Sequence, residues 1–287
     1  MVERFGKERL LTDLLPEDFE KFKDALAKTR GAVALGSVIQ RIRTMFKFAW
    51  DEGIIDKPIR FGSVFKKPSK KAMRAARHAA GPRMIEAADL QKLLAVASPA
   101  LKAMILLGVK AAFGNTDVAS LPLSALDLVG GWVNFPRPKT AIERRCPLWP
   151  ETVAAIRKAI TGRPEPKDAA DARLLFTTKY GMRWVRVNER EGKPAVPIDS
   201  VRWEFDKLLT QVKLKRRGLG FYTLRHVFRT VADGVKDQPA IDRIMGHADD
   251  SMANLYRERI DDARLKSVTQ AVHAWLWPRV RSDLPVN

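Results

Sequence analysis

The sequence predicts a mainly α-helical protein with a small antiparallel β-sheet, divided into two domains. Apolar residues recur at helical spacing over most of the chain. One such face comprises Val38, Ile42, Met45, Phe46 and Ala49. The spacing changes to short strand-like runs only near the middle, around a Gly130-Gly131 turn. A length of 287 residues, 46% of them apolar, favours two domains over one.

The charge of the chain indicates a polyanionic partner. It carries 52 lysine and arginine residues against 33 acidic residues, which gives a formal net charge of +19. A positive surface concentrates phosphate ligands and releases their counterions, so we expect nucleic acid. An anionic membrane surface is the alternative, although the sequence has no apolar run of about 18 residues that could enter a membrane. The N-terminus lacks the apolar core of a signal peptide, and we therefore expect a cytoplasmic protein without a membrane partner.

The sequence offers no ligand set for a metal. Its four histidines are dispersed, without metal-ligand spacing, and Cys146 has no second cysteine with which to form an internal disulfide. Cys146 also lacks a paired histidine motif, so we interpret it as a small core residue rather than a nucleophile. We expect no cofactor.

The N-terminal part contains two predicted helices. The first extends from Pro16 to about Ala27, and the second from about Leu35 to Asp51. Off the apolar face of the second helix lie three basic residues, Arg41, Arg43 and Lys47. They are candidate DNA contacts, and a solvated helix face without a ligand is the alternative.

A strongly basic stretch follows these helices. Residues 57–83 contain nine lysine and arginine residues and no acidic residue. Such a stretch behaves as a self-repelling linker until a polyanion neutralises it. We therefore predict a helical domain over residues 1–80, a basic linker over about 57–83 and a second domain over 84–287. The candidate DNA contacts of the linker are Lys66, Lys67, Lys70 and Lys71, and a disordered, solubilising linker is the alternative.

The second domain is predicted to begin with helices near 86–97 and 100–112. Short strands follow at 126–128, 132–135 and 144–148, with a candidate fourth strand at 174–178. Helical spacing then returns near 150–160, 199–212, 223–233, 238–245, 249–257 and 262–275. The last of these is a tail helix, which either packs on its own domain or docks on a neighbouring protomer.

One segment near the C-terminus carries a distinctive combination of residues. It contains Tyr222-Thr-Leu-Arg225-His226, then Met245-Gly246-His247, and then Tyr256, nine positions after His247. This arrangement resembles the signature of the tyrosine-recombinase, or phage-integrase, family. In that family a His-x-x-Arg-His segment is followed by Leu-Gly-His and by a tyrosine nine positions further on. Only three of the 287 residues are tyrosines, so chance does not readily explain Tyr256 beside Gly-His.

The resemblance implies a fold, a partner and roles for individual residues. The fold would be a helical, SAM-like core-binding domain followed by a tyrosine-recombinase catalytic domain, acting on double-stranded DNA as a dimer to tetramer. Tyr256 would be the nucleophile, Arg225 the second catalytic arginine and His247 the residue at the family's His/Trp position. Lys139, in a Lys-Thr pair before a basic strand, resembles the β-hairpin lysine that protonates the leaving 5′ oxygen. A surface lysine on a hairpin is the alternative for Lys139.

The implied chemistry explains why these residue types are needed. A tyrosine hydroxyl attacks phosphorus, forms a 3′-phosphotyrosyl link and expels a 5′ hydroxyl that can later attack in reverse. Negative charge grows on the non-bridging oxygens during the attack, so fixed guanidinium and imidazole donors lower the barrier. This chemistry uses neither ATP nor a metal ion.

Two positions depart from the family pattern. Tyr222 stands where the family usually has histidine, and a phenol with a pKa of about 10 is a poor base near neutral pH. Its hydroxyl can still donate to a phosphate oxygen. The first catalytic arginine belongs in a Thr-Gly-x-Arg-x-x-Glu turn, where this chain has Gly114 in place of the arginine and Asp117 in place of the acid. The nearest candidate substitute cations in sequence are Lys110 and Arg137.

Three functions are compatible with these residues. The first is site-specific strand exchange during integration or excision of a mobile element. The second is sequence-specific DNA binding by a protein that cuts slowly, or not at all, without the first arginine. The third is relaxation of supercoils by a single subunit through the same tyrosine chemistry. A covalent adduct separates the second from the others, and recombinant product separates the first from the third.

Overall fold

The structure is a computed structural model that describes residues 2–190, 192–248 and 258–278. The chain divides into two compact units, Met1–Pro82 and Arg83–Asn287. Most described residues lie in helices, and the strands form small antiparallel sheets, so the predicted fold class is confirmed. Among the described helices, none combines the length and apolar character needed to cross a membrane.

The first unit is helical around an aromatic core. Its described part contains α1 (Val2–Phe5), α2 (Pro16–Ala27), α3 (Ala32–Asp51) and α4 (Lys70–Ala79). Phe19 of α2 is fully buried. Its ring meets four others at centroid distances of 4.9 to 5.9 Å, those of Phe5, Phe46, Phe61 and Phe65. Tilted and edge-to-face pairs of this kind stabilise the core beyond the burial of apolar area.

The basic stretch over residues 57–83 is more ordered than the linker expected there. Phe61 and Phe65 pack into the core of the first unit, and α4 occupies much of the remainder. The Ser69 hydroxyl accepts a hydrogen bond from the Ala72 N–H and caps this helix. Helical spacing did not reveal α4 because its apolar positions are alanines and one methionine, none of them buried. Alanine has the highest helix propensity, which explains the helix without a wide apolar face.

The second unit holds the remaining elements. Its described helices are α5 (Ala87–Val96), α6 (Pro99–Ala111), α7 (Asn115–Ala119), α8 (Pro150–Thr161), α9 (Ser200–Gln211), α10 (Thr223–Ala232), α11 (Gln238–Met245) and α12 (Asp262–Leu276). Its described strands are β1 (Leu126–Asp127), β2 (Trp132–Asn134), β3 (Arg145–Pro147), β4 (Val185–Arg190) and β5 (Lys193–Asp199). The helix predicted over 249–257 lies outside the described residues.

The strands form two antiparallel sheets. In the order β1-β2-β3, Val133 of β2 pairs with Leu126 on one side and Cys146 on the other, as predicted. The candidate strand at 174–178 is wrong, because this segment forms only an isolated bridge between Leu174 and Pro122. The β4–β5 hairpin was not predicted. Its valines Val187 and Val196 are more than half exposed, so no alternating pattern marks a buried face.

Helix α6 forms the centre of the second unit, and α8 and α10 pack against it. Nearly all of its residues are buried. Gly108 allows the close approach of α10, because a Cβ atom at this position would lie 2.7 Å from Cδ1 of Leu224. This packing places the start of α10 beside the C-terminal end of α6.

We predict that Gly108→Ala destabilises the protein by about 1–3 kcal/mol, because the added methyl group overlaps Leu224 in a close-packed core. Urea unfolding measures the change. Gly234→Ala is the matched control, since a Cβ there meets nothing within 4 Å. Equal stability of the two variants would show that Gly108 does not set the distance between α6 and α10.

Candidate active site

Arg225 of α10 is held by backbone carbonyls at the ends of two other helices. Its Nη1 donates to the Ala112 carbonyl at 2.6 Å, and its Nη2 donates to the Met245 carbonyl at 2.9 Å. Ala112 closes α6 in the left-handed conformation, with φ of 55°. Burial, and next the nearby charge of Arg137, lower the pKa of Arg225 to about 10. Arg225 is therefore a buried, immobilised guanidinium that is still charged at neutral pH.

His247 follows the end of α11 and lies against Asp242. Its Nδ1 is 3.3 Å from Oδ1 of Asp242, and its backbone N–H donates to the Asp242 carbonyl at 3.1 Å. Burial, followed by the charge of Arg225, lowers the pKa of His247 below its usual value, while Asp242 opposes the change. His247 is therefore mostly neutral at pH 7.

Gly114 and Tyr222, the two positions that depart from the family pattern, are in contact. Gly114 precedes α7 in an extended conformation, with φ of −90° and ψ of −178°, and its N–H donates to Oδ2 of Asp117 at 2.7 Å. A Cβ atom on Gly114 would lie 3.4 Å from both Cδ2 and Cε2 of Tyr222. The half-exposed ring of Tyr222 is thus within contact distance of the point where an arginine side chain at position 114 would begin.

Two arginines from the connection between β2 and β3 lie at the same place. Nη2 of Arg144 is 3.3 Å from Oδ1 of Asp117, and its Nε donates to the Phe135 carbonyl. The Arg144 side chain is only 1% exposed, and its Nη1 has no hydrogen-bond partner. Arg137 is half-buried, and its charge lowers the pKa values of Arg225, Arg144 and His247. Within the described part of the chain, the Arg137 guanidinium forms no hydrogen bond or ion pair.

Gly246 makes room for both of these arginines. A Cβ atom on Gly246 would lie 2.7 Å from Cγ and Cδ of Arg144 and 3.0 Å from Cβ of Arg137. The residue also has φ of 62°, a left-handed conformation that ends α11. Sequence reasoning recognised Gly246 as part of a motif but did not identify Arg144 or Asp242. The one signal in the sequence for a nearby cation was Asp117, which stands at the position of the acidic residue in the family's turn.

The structure does not bring Lys110 to this site, contrary to the expectation that it could replace the missing arginine. Its side chain is fully buried, with Nζ 4.4 Å from the centre of the Trp149 ring and without a hydrogen-bond partner. Burial lowers the pKa of Lys110 to about 7, against the charges of Cys146 and Glu151. Burial also raises the pKa of Cys146 to about 12, in keeping with a core residue.

The other predicted site residues differ in how the structure places them. Lys139 is exposed in the turn between β2 and β3, where Thr140 and Ala141 donate to the Arg137 carbonyl. Tyr256 lies outside the described residues. Glu258, two positions later in the sequence, lines a cavity of about 400 Å³ that also contains His247 and Arg243. Among the described residues, no group of three or more His, Cys, Asp or Glu side chains could hold a metal ion.

The candidate DNA contacts of the first unit are mostly free. All seven are exposed, and five of them form no side-chain hydrogen bond or ion pair within the described residues: Arg41, Lys66, Lys67, Lys70 and Lys71. Arg43 instead donates to the Phe65 carbonyl at 3.1 Å and lies 4.6 Å from the centre of the Phe61 ring. Lys47 pairs with Asp51 at 2.5 Å. Arg43 therefore contributes to the core of the first unit whatever its role toward DNA.

Comparisons with known proteins agree with the motif. Residues 77–262 match the sequence model of the phage integrase family, which is more than half of the chain. No curated protein sequence is similar enough to match.

Solved structures show the same fold at low sequence identity. The Tn1549 transposon integrase in complex with circular intermediate DNA has 13% identity and a TM-score of 0.57, covering 90% of this chain and 86% of that one. The lambda integrase dimer bound to a COC′ core site has 16% identity and a TM-score of 0.60, covering 91% and 70%. The XerH recombinase bound to palindromic difH substrate has 13% identity and a TM-score of 0.61, covering 95% and 73%.

We predict that Lys110→Met raises stability at neutral pH by at least about 1 kcal/mol, or about 2–4 °C in Tm. The pKa of Lys110 is about 7 in the folded protein and 10.5 in the unfolded chain, so the unfolded chain binds more protons between these values. Stability should therefore rise with pH across this window in the parent, and less so in the variant. Thermal denaturation at several pH values tests this, with the exposed Lys102→Met on the same helix as control. Identical pH dependence in the parent and Lys110→Met would contradict the burial of a titrating ammonium.

Proposed function

The chain belongs to the phage integrase family, and from this premise we propose that it is a site-specific tyrosine recombinase that cleaves and rejoins double-stranded DNA. The observation that carries the proposal is the gathering of Arg225, His247 and Tyr222 at one place, from separate segments that have the spacing of the family signature. The intermediate would be a 3′-phosphotyrosyl link to Tyr256, formed during integration or excision of a mobile element.

DNA as the partner has two further supports. The net charge of +19 favours a polyanion. The related Tn1549 integrase, lambda integrase and XerH structures are complexes with DNA, and the lambda structure is a dimer. We propose that this chain likewise acts as a dimer or tetramer on its site. The exposed lysines at the start of α4 and just before it would contact the DNA backbone, which positions a protein without reading the bases.

Each group of the site has a role in this reaction. The guanidinium of Arg225 would bind a non-bridging oxygen of the scissile phosphate, where negative charge grows during the attack. The Tyr222 hydroxyl would donate to a second oxygen. Lys139, on an exposed turn of the same β2–β3 connection as Arg137, would protonate the leaving 5′ oxygen.

We assign the role of the missing first arginine to Arg137. Its guanidinium has no partner in the described part of the chain, and its charge acts on both Arg225 and His247. Arg144 is already paired with Asp117 and is almost completely buried. Lys110 lies against Trp149 instead. Of these three cations, Arg137 is therefore the one that can turn toward a phosphate bound at Arg225.

The second candidate function is sequence-specific DNA binding without cleavage. The observation in its favour is Gly114, because one of the two expected guanidinium groups is missing from the family position. Under this alternative Arg137 would only bind phosphate, and no covalent adduct would form.

We predict that Tyr256→Phe abolishes a covalent protein–DNA adduct and leaves DNA affinity nearly unchanged, because only the attacking oxygen is removed. A nicked duplex that traps the cleaved state reveals the adduct as a slow band on a denaturing gel. Adduct formation by the Phe variant at the parent's level would show that the nucleophile is wrongly assigned. Binding without any adduct from the parent would favour the second candidate function.

We predict that Arg137→Ala lowers the rate of adduct formation about 100- to 1,000-fold, the usual loss when one oxyanion donor is removed. Adding Gly114→Arg to this variant should restore part of the rate, because the backbone of Gly114 is extended and accepts any side chain. Lys158→Ala, an exposed lysine of α8, is the control for a general loss of positive charge. If Arg137→Ala cuts as fast as this control, another group replaces the first arginine.

A further inference from the structure

The second unit contains a cavity that lies apart from the arginines of the candidate active site. Its volume is about 570 Å³, a size typical of sites that hold small molecules. Its walls come from the start of α6, the end of α8, the first two turns of α9 and the connection between α8 and β4. A helical rise of about 1.5 Å per residue places Ala100, which lines the cavity, about 17 Å from Ala111 at the other end of α6. The cavity and Arg225 are therefore at opposite ends of this helix.

Two large aromatic side chains of the cavity are exposed. Tyr180 is 65% exposed and Trp203 is 55% exposed. Neither ring meets another aromatic ring within the described residues. The buried side chains of Leu175 and Phe176 also line the cavity. A flat apolar ligand would remove much of this aromatic surface from water, which is favourable.

Both exposed rings are carried by backbone that is held in place. Tyr180 lies in a tight turn, where the Met182 N–H donates to the Thr178 hydroxyl at 3.1 Å and the Thr178 N–H donates to the Met182 carbonyl at 2.8 Å. Gly181 gives this turn its left-handed residue, with φ of 71°. Trp203 is in the first turn of α9, a helix with a side-chain N-cap. A ligand therefore meets backbone that is already ordered, which lowers the entropic cost of binding.

The charged side chains of the cavity are mostly positive. Four basic residues line it, Arg163, Lys179, Arg186 and Lys207, against one acidic residue, Glu204. Lys207 pairs with Glu204 at 2.7 Å. The other three basic side chains form no ion pair within the described part of the chain. Three positive charges without an acidic partner favour an anionic ligand.

Two hydrogen-bond donors in the cavity wall have no acceptor among the described residues. They are the indole Nε1 of Trp184 and the Nε of Arg163, and both atoms are buried. Buried donors that stay unpaired are costly to the free protein. Both groups donate and cannot accept, so a ligand with oxygen acceptors suits this wall.

We propose that this cavity binds an aromatic anion, a small molecule with a flat apolar ring and a carboxylate, sulfonate or phosphate group. The ring would lie against Tyr180 and Trp203. Its anionic group would lie near Lys179, whose Nζ is 4.9 Å from the centre of the Tyr180 ring, and near Arg186. A neutral aromatic compound would leave the charges unused, and inorganic phosphate would leave the rings exposed. The inference does not rest on strand cleavage, because none of these residues belongs to the proposed cleavage site.

The aromatic contact is tested with 1-anilinonaphthalene-8-sulfonate, an aromatic sulfonate whose fluorescence rises in apolar surroundings. Calorimetry on the full chain should give one bound probe per chain. Trp203→Ala should weaken binding about 3- to 10-fold through loss of the ring contact. Trp50→Ala, which removes an exposed tryptophan of α3 outside this cavity, is the matched control. Equal affinities of the two variants would overturn the proposal.

The preference for an anion is tested by removing two positive charges. Lys179→Gln with Arg186→Gln should weaken sulfonate binding about fivefold and leave binding of neutral N-phenyl-1-naphthylamine unchanged. Lys102→Gln with Lys158→Gln is the control, because both lysines are exposed and lie outside the cavity. An equal loss in both double variants, or an equal loss for both probes, would contradict an anion site. Displacement of the sulfonate by equimolar inorganic phosphate would do the same for the aromatic part.

Folding is checked by thermal denaturation of each variant. Tyr180→Ala is a second test of the aromatic contact, and its exposed side chain makes unfolding an unsuitable explanation for lost binding. We expect it to weaken the sulfonate as Trp203→Ala does. Unchanged binding by a folded Tyr180→Ala would contradict the assigned ring contact.

Duplex DNA distinguishes this cavity from the DNA-binding surface. A saturating short duplex should leave the bound sulfonate in place, because the cavity lies at the far end of α6 from Arg225. Displacement of the probe in proportion to the DNA bound would overturn the proposal and assign the cavity to DNA.

Discussion

The architecture of the candidate active site depends on the pair of hydrogen bonds that Arg225 makes to the backbone. The carbonyls of Ala112 and Met245 belong to the ends of α6 and α11, so one side chain joins three helices. A buried guanidinium is costly unless its donors are satisfied, and these two carbonyls satisfy two of its five donors without neutralising its charge. The fold can therefore keep an unneutralised cation in its interior, which is the property that a phosphate-binding site needs.

Positively charged side chains outnumber negatively charged ones around Arg225. Arg137 and Arg144 lie close enough to lower its pKa, and Asp117 is the acid that pairs with Arg144. Like charges held together in a region of low dielectric repel each other, and a bound phosphate removes this repulsion. Because a bound anion would relieve this repulsion, the repulsion in the free protein favours anion binding. Gly108 and Gly246 contribute to this arrangement because their missing side chains let α10 and the β2–β3 connection approach.

Sequence reasoning found the elements that have a wide apolar face and missed those that lack one. Helix α4 consists largely of alanine and basic residues, and the β4–β5 hairpin exposes its valines, so neither shows the pattern of a buried face. The motif led to Arg225, His247 and Tyr222 because their spacing along the chain is distinctive. Arg144 and Asp242 could not be found in this way, since their roles arise from contacts across separate elements.

Lys110 shows that a residue close to Gly114 in the sequence need not lie close to the candidate site in the structure. It precedes Gly114 by four positions, yet the helical geometry of α6 directs its side chain toward Trp149 and away from the arginines. Arg137 is 23 positions from Gly114 in the sequence, but the β2–β3 connection returns it to the end of α11. Distance along the chain therefore does not predict which of two candidate cations lies beside Arg225 when one of them is part of a helix.

The two departures from the family pattern, Gly114 and Tyr222, are neighbours in the structure. A Cβ atom on residue 114 would lie 3.4 Å from the ring of Tyr222, an ordinary contact distance, so a side chain at 114 would pack against this half-exposed ring. The backbone of Gly114 is extended and would accept an arginine. At these two neighbouring positions the chain has neither the histidine nor the arginine of the family pattern. The β2–β3 connection brings Arg137 close enough to Arg225 to lower its pKa, and Asp242 lies 3.3 Å from Nδ1 of His247, so a cation and an imidazole reach the same region from other elements.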